Sequence, residues 1–235
     1  MDHGIIMVLL LEILELSKLK HVRIDMSYFF EKDVKNIIEA ENSKLEDLAT
    51  LSIIPISYSE ATSDTLEKFS NLQHFDCIIQ EQRDPPTHGD WFPKFHVLNK
   101  LESLIARYYK IDVYDSELIP PSNEYHFPTS LKELQLYSFP LRPALLSKIT
   151  ALPKLEILEF MISNFIENKW DASEDIYQNS FCIIDIHTLK YIHLTCIDNG
   201  ELVDSASAIK RDMEDFTGED KLSIHVSIVD LSSEE

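Results

Sequence analysis

Glycine is scarce in this chain: four in 235 residues, at Gly4, Gly89, Gly200 and Gly218, none beside another. A phosphate-cradling loop needs clustered glycines so that backbone amides can approach the phosphate, so neither a P-loop nor a dinucleotide fingerprint is present. Cysteine is also scarce and odd in number. Cys77, Cys182 and Cys196 include no C-x-x-C pair, and two lie in apolar strand-like runs, where a free thiol behaves as a small hydrophobe. No Asn-x-Ser/Thr acceptor occurs, consistent with a reducing, intracellular setting. Basic residues are few as well: 21 Lys and Arg face 41 Asp and Glu, a net charge of −20. A nucleic-acid reader needs a basic stripe to displace counterions from phosphates, and none is present. The same repulsion disfavours anionic membrane surfaces. The one apolar run near the start, residues 5–11, is too short to span a bilayer. It follows Asp2 rather than a basic start and precedes Glu12 and Glu15, so it reads as a buried structural segment, not a signal peptide.

Hydrophobic side chains, in contrast, make up 44% of the chain, ample for a core in one large domain or two small ones. They recur in one phrase. Its clearest instance is residues 127–137, FPTSLKELQLY, where Leu131, Leu134 and Leu136 mark a bend followed by a strand with alternate residues inward. The phrase returns around Val22, Leu51, Phe75, Leu104, Leu158 and Ile192. Taken with Leu134, these central positions differ successively in sequence number by 29, 24, 29, 30, 24 and 34. Those intervals cluster around the leucine-rich-repeat period, with insertions in some units. One unit cannot bury its own apolar edge, so neighbours must stack in parallel. The predicted fold is α/β: a leucine-rich-repeat solenoid, an arc with parallel inner strands and an irregular or helical convex side, closed by a C-terminal helix-strand cap. About seven repeats would occupy residues 1–200, and an acidic cap 201–235.

Between the strands, residues 33–40 and 144–152 carry apolar side chains at helical spacing, and 64–69 offers an N-terminal cap with Asp64 three residues before Glu67. Residues 80–91 and 114–127 are polar and proline-bearing and read as loops, and 164–179 as the longest insertion. In the cap, Asp204 precedes a helix with Val203, Ala206, Ile209, Met213 and Phe216 at 3–4 spacing, and Gly218 is placed to stop it. Leu222, Ile224, Val226 and Ile228 then alternate with Ser and His as a half-buried strand. Acids outnumber bases ten to three from 199 to 235.

Catalytic and metal chemistry find little support in the residues. His21, His74 and His193 fall in different strands without the spacing of a ligand set, so solvated strand histidines are expected and no metal or cofactor. His187 near Cys182 and Cys196 invites a Cys–His dyad, but Cys196 lies beside the inward Leu194, where a structural thiol is expected. Acid pairs such as Glu214/Asp215 and Glu219/Asp220 read as solvated charge. Protein binding remains. The positions flanking the inward pairs would form the exposed inner surface: His21, Arg23 and Asp25; Thr50 and Ser52; His74 and Asp76; Ser103 and Arg107; Glu133, Gln135 and Tyr137; Glu159; Tyr191, His193 and Thr195.

The phrases LSKLKHVRID, TLEKFSNLQHFDC, WFPKF, HFPTSLKELQLYSFPL, LPKLEILEF and DSASAIKRDMEDFTGEDKLSIHV resemble the C-terminal leucine-rich repeats of nightshade-family plant immune receptors. More narrowly, they are similar to late blight resistance proteins of the coiled-coil nucleotide-binding class, from about residue 14 to 226. The resemblance implies a cytoplasmic region, or one held at a membrane periphery within a receptor complex, that senses pathogen effectors and restrains a nucleotide-binding switch. Its implied partners are proteins: an effector, a guarded host protein, or the nucleotide-binding module of a related receptor. Two features depart from that pattern. The nucleotide-binding module and coiled coil are missing, and the abrupt start at Met1 suggests a truncated gene product, a fragment or a receptor-derived remnant. The Asn often found three residues past the inward pair is replaced by Ser27, Ile56, Gln80, Tyr109, Phe139, Ser163 and Ile197, so no buried Asn ladder is expected. The competing expectation is a free-standing repeat adaptor, such as a ubiquitin-ligase substrate receptor, which would need an F-box-like helical segment that residues 1–15 are too few to hold.

Overall fold

A computed structural model of the chain describes residues 18–23, 47–57, 66–80, 92–109, 125–139, 143–162, 188–197, 211 and 223–229. The chain divides into two compact units, Met1–Ser130 and Leu131–Glu235. The first holds β1 (His21–Arg23), β2 (Thr50–Ser57), β3 (His74–Gln80) and β4 (Ser103–Tyr109). The second holds β5 (Glu133–Tyr137), helix α1 (Pro143–Thr150), β6 (Ile157–Ile162), β7 (Tyr191–Ile197) and β8 (Ser223–Val229). Within each unit the strands lie in sequence order and every neighbouring pair is parallel. The fold is therefore α/β, with parallel strands and few helices among the described residues.

The three-residue spacing ahead of each strand has a local cause. Successive i→i+3 turns link Leu66, Phe69 and Leu72, then Phe95, Leu98 and Leu101: Phe69 N–H donates to the Leu66 carbonyl, Leu72 to Phe69, Leu98 to Phe95 and Leu101 to Leu98, each at 3.0 Å. Side chains three apart eclipse in such turns, so all six point into the core, and all six are buried. The chain then extends and the period falls to two: Phe75, Cys77 and Ile79 are buried on β3, Leu104 and Ala106 on β4, Leu134 and Leu136 on β5, Leu158 and Phe160 on β6.

Adjacent rungs are joined by one recurring backbone device. At five rungs the carbonyl just before a strand accepts two amides from the next rung, the second belonging to the next strand's first residue. Lys20 O takes Ala49 N (2.8 Å) and Thr50 N (3.0 Å), Ala49 O takes Gln73 N and His74 N, and Gln73 O takes Glu102 N and Ser103 N. In the second unit Lys132 O serves Glu156 N and Ile157 N, and Glu156 O serves Lys190 N and Tyr191 N. A carbonyl has two lone pairs, so both are satisfied. A side chain repeats too: Ser130 Oγ donates to Leu101 O (2.7 Å) and Thr188 Oγ1 to Leu155 O (2.6 Å), each three positions before a strand.

Registers within the units reproduce the expected intervals, pairing Val22 with Leu51, Leu51 with Phe75, Phe75 with Leu104, Leu134 with Leu158 and Leu158 with Ile192. Three features differ from expectation. In β2 a register shift between Leu51 and Ile54 sets Ile54 opposite Cys77 and Ile56 opposite Ile79. The strict alternation expected from Leu51, which would turn Ile53 inward, is thus broken by an extra residue shortly before Pro55, which cannot donate to a ladder. The ends of the two expected loops are not solvated: Phe92, Tyr125 and Phe127 are buried, with Phe92 making edge contacts to Phe95 (5.3 Å), Tyr125 (4.9 Å) and Phe127 (5.6 Å). Finally β8, within the segment expected as a cap, pairs parallel with β7 as a further rung, Ile224 opposite Ile192.

Helix α1 starts on Pro143, whose missing N–H costs nothing in a first turn. It buries Leu145, Leu146 and Ile149, and Leu152 follows in a turn, its amide bonded to Ile149 O. Ser138, just past β5, holds a left-handed φ of 59° and donates its amide to Met161 O at 2.8 Å. The expected helices at 33–40 and 203–216 lie outside the described residues, Arg211 excepted.

Leu134 is fully buried among these rungs. Leu134→Ala should lower the unfolding free energy by about 2–5 kcal/mol through lost transfer energy and the cavity left behind. The exposed Lys154→Ala should stay within about 0.5 kcal/mol. Urea denaturation of both variants checks this.

Candidate functional site

Strand alternation that sends Phe75, Leu104, Leu134 and Leu158 inward sends the intervening residues to the opposite face. In the first unit His21, Arg23 and His74 are exposed there, and His21 Nδ1 lies 2.9 Å from Thr50 Oγ1. Thr50 is the register partner of both His21 and His74. Asp76 and Arg107 form an ion pair and hydrogen bond across β3 and β4. They are not direct register partners: Asp76 faces Ile105 and Arg107 faces Ile78, so the guanidinium reaches back diagonally. Ile78 and Ile105 are half-buried beside them.

The pair is unevenly wetted, with the Asp76 side chain 14% exposed and that of Arg107 36%. Burial is the largest influence on Asp76 and raises its pKa above the ordinary carboxylate value, although Arg107 and, less strongly, Arg23 pull the other way. Loss of water thus outweighs the attraction. Beside it Cys77 is a free, fully buried thiol whose pKa is raised well above the usual value, first by burial and then by the Asp76 charge. A thiol held protonated in the core is a poor nucleophile. Asp25 lies outside the described residues.

In the second unit Glu133, Gln135 and Tyr137 alternate outward along β5, half-buried, and are tied in sequence. Tyr137 Oη–H donates to Gln135 Oε1 (3.0 Å), and Gln135 Nε2–H donates to Glu133 Oε1 (2.7 Å). Glu159 on β6 is the register partner of Gln135 on one side and His193 on the other. The Tyr191 and His193 rings meet edge-on at 6.2 Å. His193 Nε2 lies 2.8 Å from Ser227 Oγ and 3.3 Å from Thr195 Oγ1, and its ring stacks at 5.0 Å and a 30° tilt on His225.

Most of the expected site residues fall into two groups, Asp76–Arg107 with Arg23 nearby, and Glu133–Gln135–Tyr137 with Glu159, Tyr191 and His193, while His21 and His74 lie either side of Thr50. Two residues expected at the surface are not there. Ser103 and Thr195 are buried, 8% and 7% exposed, because short side chains sit below longer neighbours and the His193 ring bonds over Thr195. His225 and Ser227 belong to the second group but were absent from the expected face. The alternation of Ser and His with Leu222, Ile224, Val226 and Ile228 held that signal.

Among the described residues no group of three or more His, Cys, Asp or Glu is placed to hold a metal ion. No helix among them is long and apolar enough to cross a membrane. His187, Cys182 and the acid pairs of the terminal segment lie outside the described residues. The chain matches no protein-family model, and no curated protein matches it.

Because the folded pKa of Asp76 is raised, the folded state binds that proton more tightly than the unfolded state. The contribution to stability is greatest below the unfolded value and is lost as pH rises through the folded one. A carbon-13 NMR titration should place the Asp76 carboxyl midpoint above the ordinary carboxylate value, and Arg107→Gln should move it higher still. A midpoint at or below the ordinary value contradicts the assignment.

Proposed function

We propose that the chain is a non-catalytic, leucine-rich-repeat protein-recognition module of the kind that senses effectors and restrains the switch in late blight resistance-like plant immune receptors. The observation that carries this reading is the contrast between the two sides of each strand. Inward positions hold buried apolar residues rung after rung. Outward positions differ from rung to rung in charge, size and aromaticity, as a recognition surface requires. The repeated carbonyl fork and the i→i+3 turns ahead of the strands support the repeat reading, because they recur at the intervals of the leucine phrase.

Two further observations favour binding over catalysis. Cys77 is buried with its thiol held protonated. The outward His, Tyr and Glu side chains lie along open strands and bond to neighbours on the same face. The lineage rests on the resemblance of HFPTSLKELQLYSFPL and the terminal segment, and from it come the proposed partners: a pathogen effector, a guarded host protein, or a nucleotide-binding module acting from a separate chain. Restraint of such a module would work as a population shift, the repeats binding its resting state more tightly than its active one.

The chain, co-expressed with the nucleotide-binding module of a late blight resistance-like receptor, should co-precipitate with it. Loading the module with a non-hydrolysable ATP analogue should weaken the association. Absence of association with either nucleotide state would sink the autoinhibitory reading.

A further inference from the structure

This inference rests on the reading of the sheet faces as recognition surfaces and concerns which partner the second unit takes. We propose that the outward face of β5–β8 receives an extended, cationic protein segment whose arginine or lysine heads pair with Glu133 and Glu159. Among the described outward positions of these strands the charged residues are Glu133 and Glu159, and no Lys or Arg is present. The first unit differs, with Arg23, Arg107 and Asp76 on the corresponding face. An acidic partner would meet repulsion from β5 and β6, whereas a basic one would be drawn in by the −20 charge of the whole chain.

Geometry makes the attraction local rather than diffuse. Gln135 is engaged at both ends of its amide, by Tyr137 Oη–H at the oxygen and by Glu133 Oε1 at the nitrogen. Its orientation is thereby fixed, and with it the position of the Glu133 carboxylate. A carboxylate offers about four lone-pair sites. One hydrogen bond from an amide therefore leaves it able to take a guanidinium head. A carboxylate already positioned loses less freedom on binding than one that must be ordered.

Glu159 stands opposite Gln135 on the next strand, one outward step along from the level of Glu133. Strand spacing and rise put the two backbone positions about 8 Å apart, enough for two separate cationic heads. Half-buried Tyr137, Tyr191 and His193 occupy neighbouring outward positions, His193 as the register partner of Glu159 and Tyr137 two residues past Gln135. Tyrosine rings beside a carboxylate suit a cation that is paired and stacked at once.

The test uses the full chain and three fluorescein-labelled twelve-residue peptides, identical except that four positions hold arginine, glutamine or glutamate, read by fluorescence anisotropy. The arginine peptide should bind and the glutamate peptide should not. Glu133→Gln with Glu159→Gln should weaken arginine-peptide binding by about tenfold or more. Glu214→Gln with Asp215→Asn, the same charge change elsewhere in the sequence, should cost less than about twofold. Tyr137→Phe changes no charge and removes the outer bond of the ladder, and should weaken binding by about two- to fivefold. Should the double variant fail to fold by circular dichroism, Glu159→Gln alone and Tyr137→Phe decide the matter.

Equal losses from the two charge pairs would overturn the proposal, since net charge alone would then explain binding. Equal or tighter binding of the glutamine or glutamate peptide would overturn the cationic preference while leaving protein recognition by this chain intact. Binding of none of the peptides would overturn it as well, and the co-precipitation with the nucleotide-binding module would then judge the broader reading separately.

Discussion

Within each unit a rung is completed by the next, and the bond that enforces this is the forked hydrogen bond seen at five carbonyls just before a strand. A parallel strand cannot be reached by a tight turn, because the chain must travel back along the opposite side before it can pair again. The intervening segments differ in length from rung to rung, shorter between Leu51 and Phe75 than between Leu158 and Ile192, yet the strand always re-enters at the same place. The fork explains how. Two amides at the start of the incoming strand bind one carbonyl of the outgoing one, which pins the register where the ladder begins; on β2 it shifts only beyond Leu51. A slip by one residue would exchange the core face for the outer face and expose every buried leucine.

From that pinning follow the two chemistries of the strands. The inward positions whose burial is described are valine, leucine, phenylalanine, isoleucine and, on β3 and β4, the small Cys77 and Ala106, and each is buried. Outward positions are freed from packing and carry hydrogen bonds within the face instead: the Tyr137–Gln135–Glu133 chain, the His193–Ser227 contact and the Asp76–Arg107 pair. Exposed pairs elsewhere, such as Lys190–Glu156 at 2.7 Å, add little stability because water competes for both ends. The Asp76–Arg107 pair is different in kind, since burial raises the energy of the carboxylate even with its partner in place. Its value is orientation rather than stability.

Much of this was legible in the sequence, and the reasons differ element by element. The leucine spacing revealed the rungs because a turn period of three followed by a strand period of two leaves an unmistakable trace, and the registers within each unit match the intervals read from it. The bulge in β2 was hidden because LSIIPIS is apolar at Leu51, Ile53, Ile54 and Ile56, so two phases of alternation fit equally well; Pro55 was the only hint. Phe92, Tyr125 and Phe127 escaped notice because each borders a polar, proline-bearing stretch whose average composition reads as solvent. The Asp76–Arg107 contact joins residues 31 apart through a diagonal reach that register alone does not predict. The terminal strand was visible by its alternation, but its parallel docking on β7, which brings His225 against His193, needed the three-dimensional structure.

The most direct test of the stacked parallel rungs is a set of cross-strand nuclear Overhauser contacts between backbone protons. Parallel, in-register pairing predicts contacts between the strand of Phe75 and that of Leu104, and between the strand of Leu158 and that of Ile192, continuing in step along each pair. An antiparallel pattern, or contacts displaced by one residue in either pair, would contradict it.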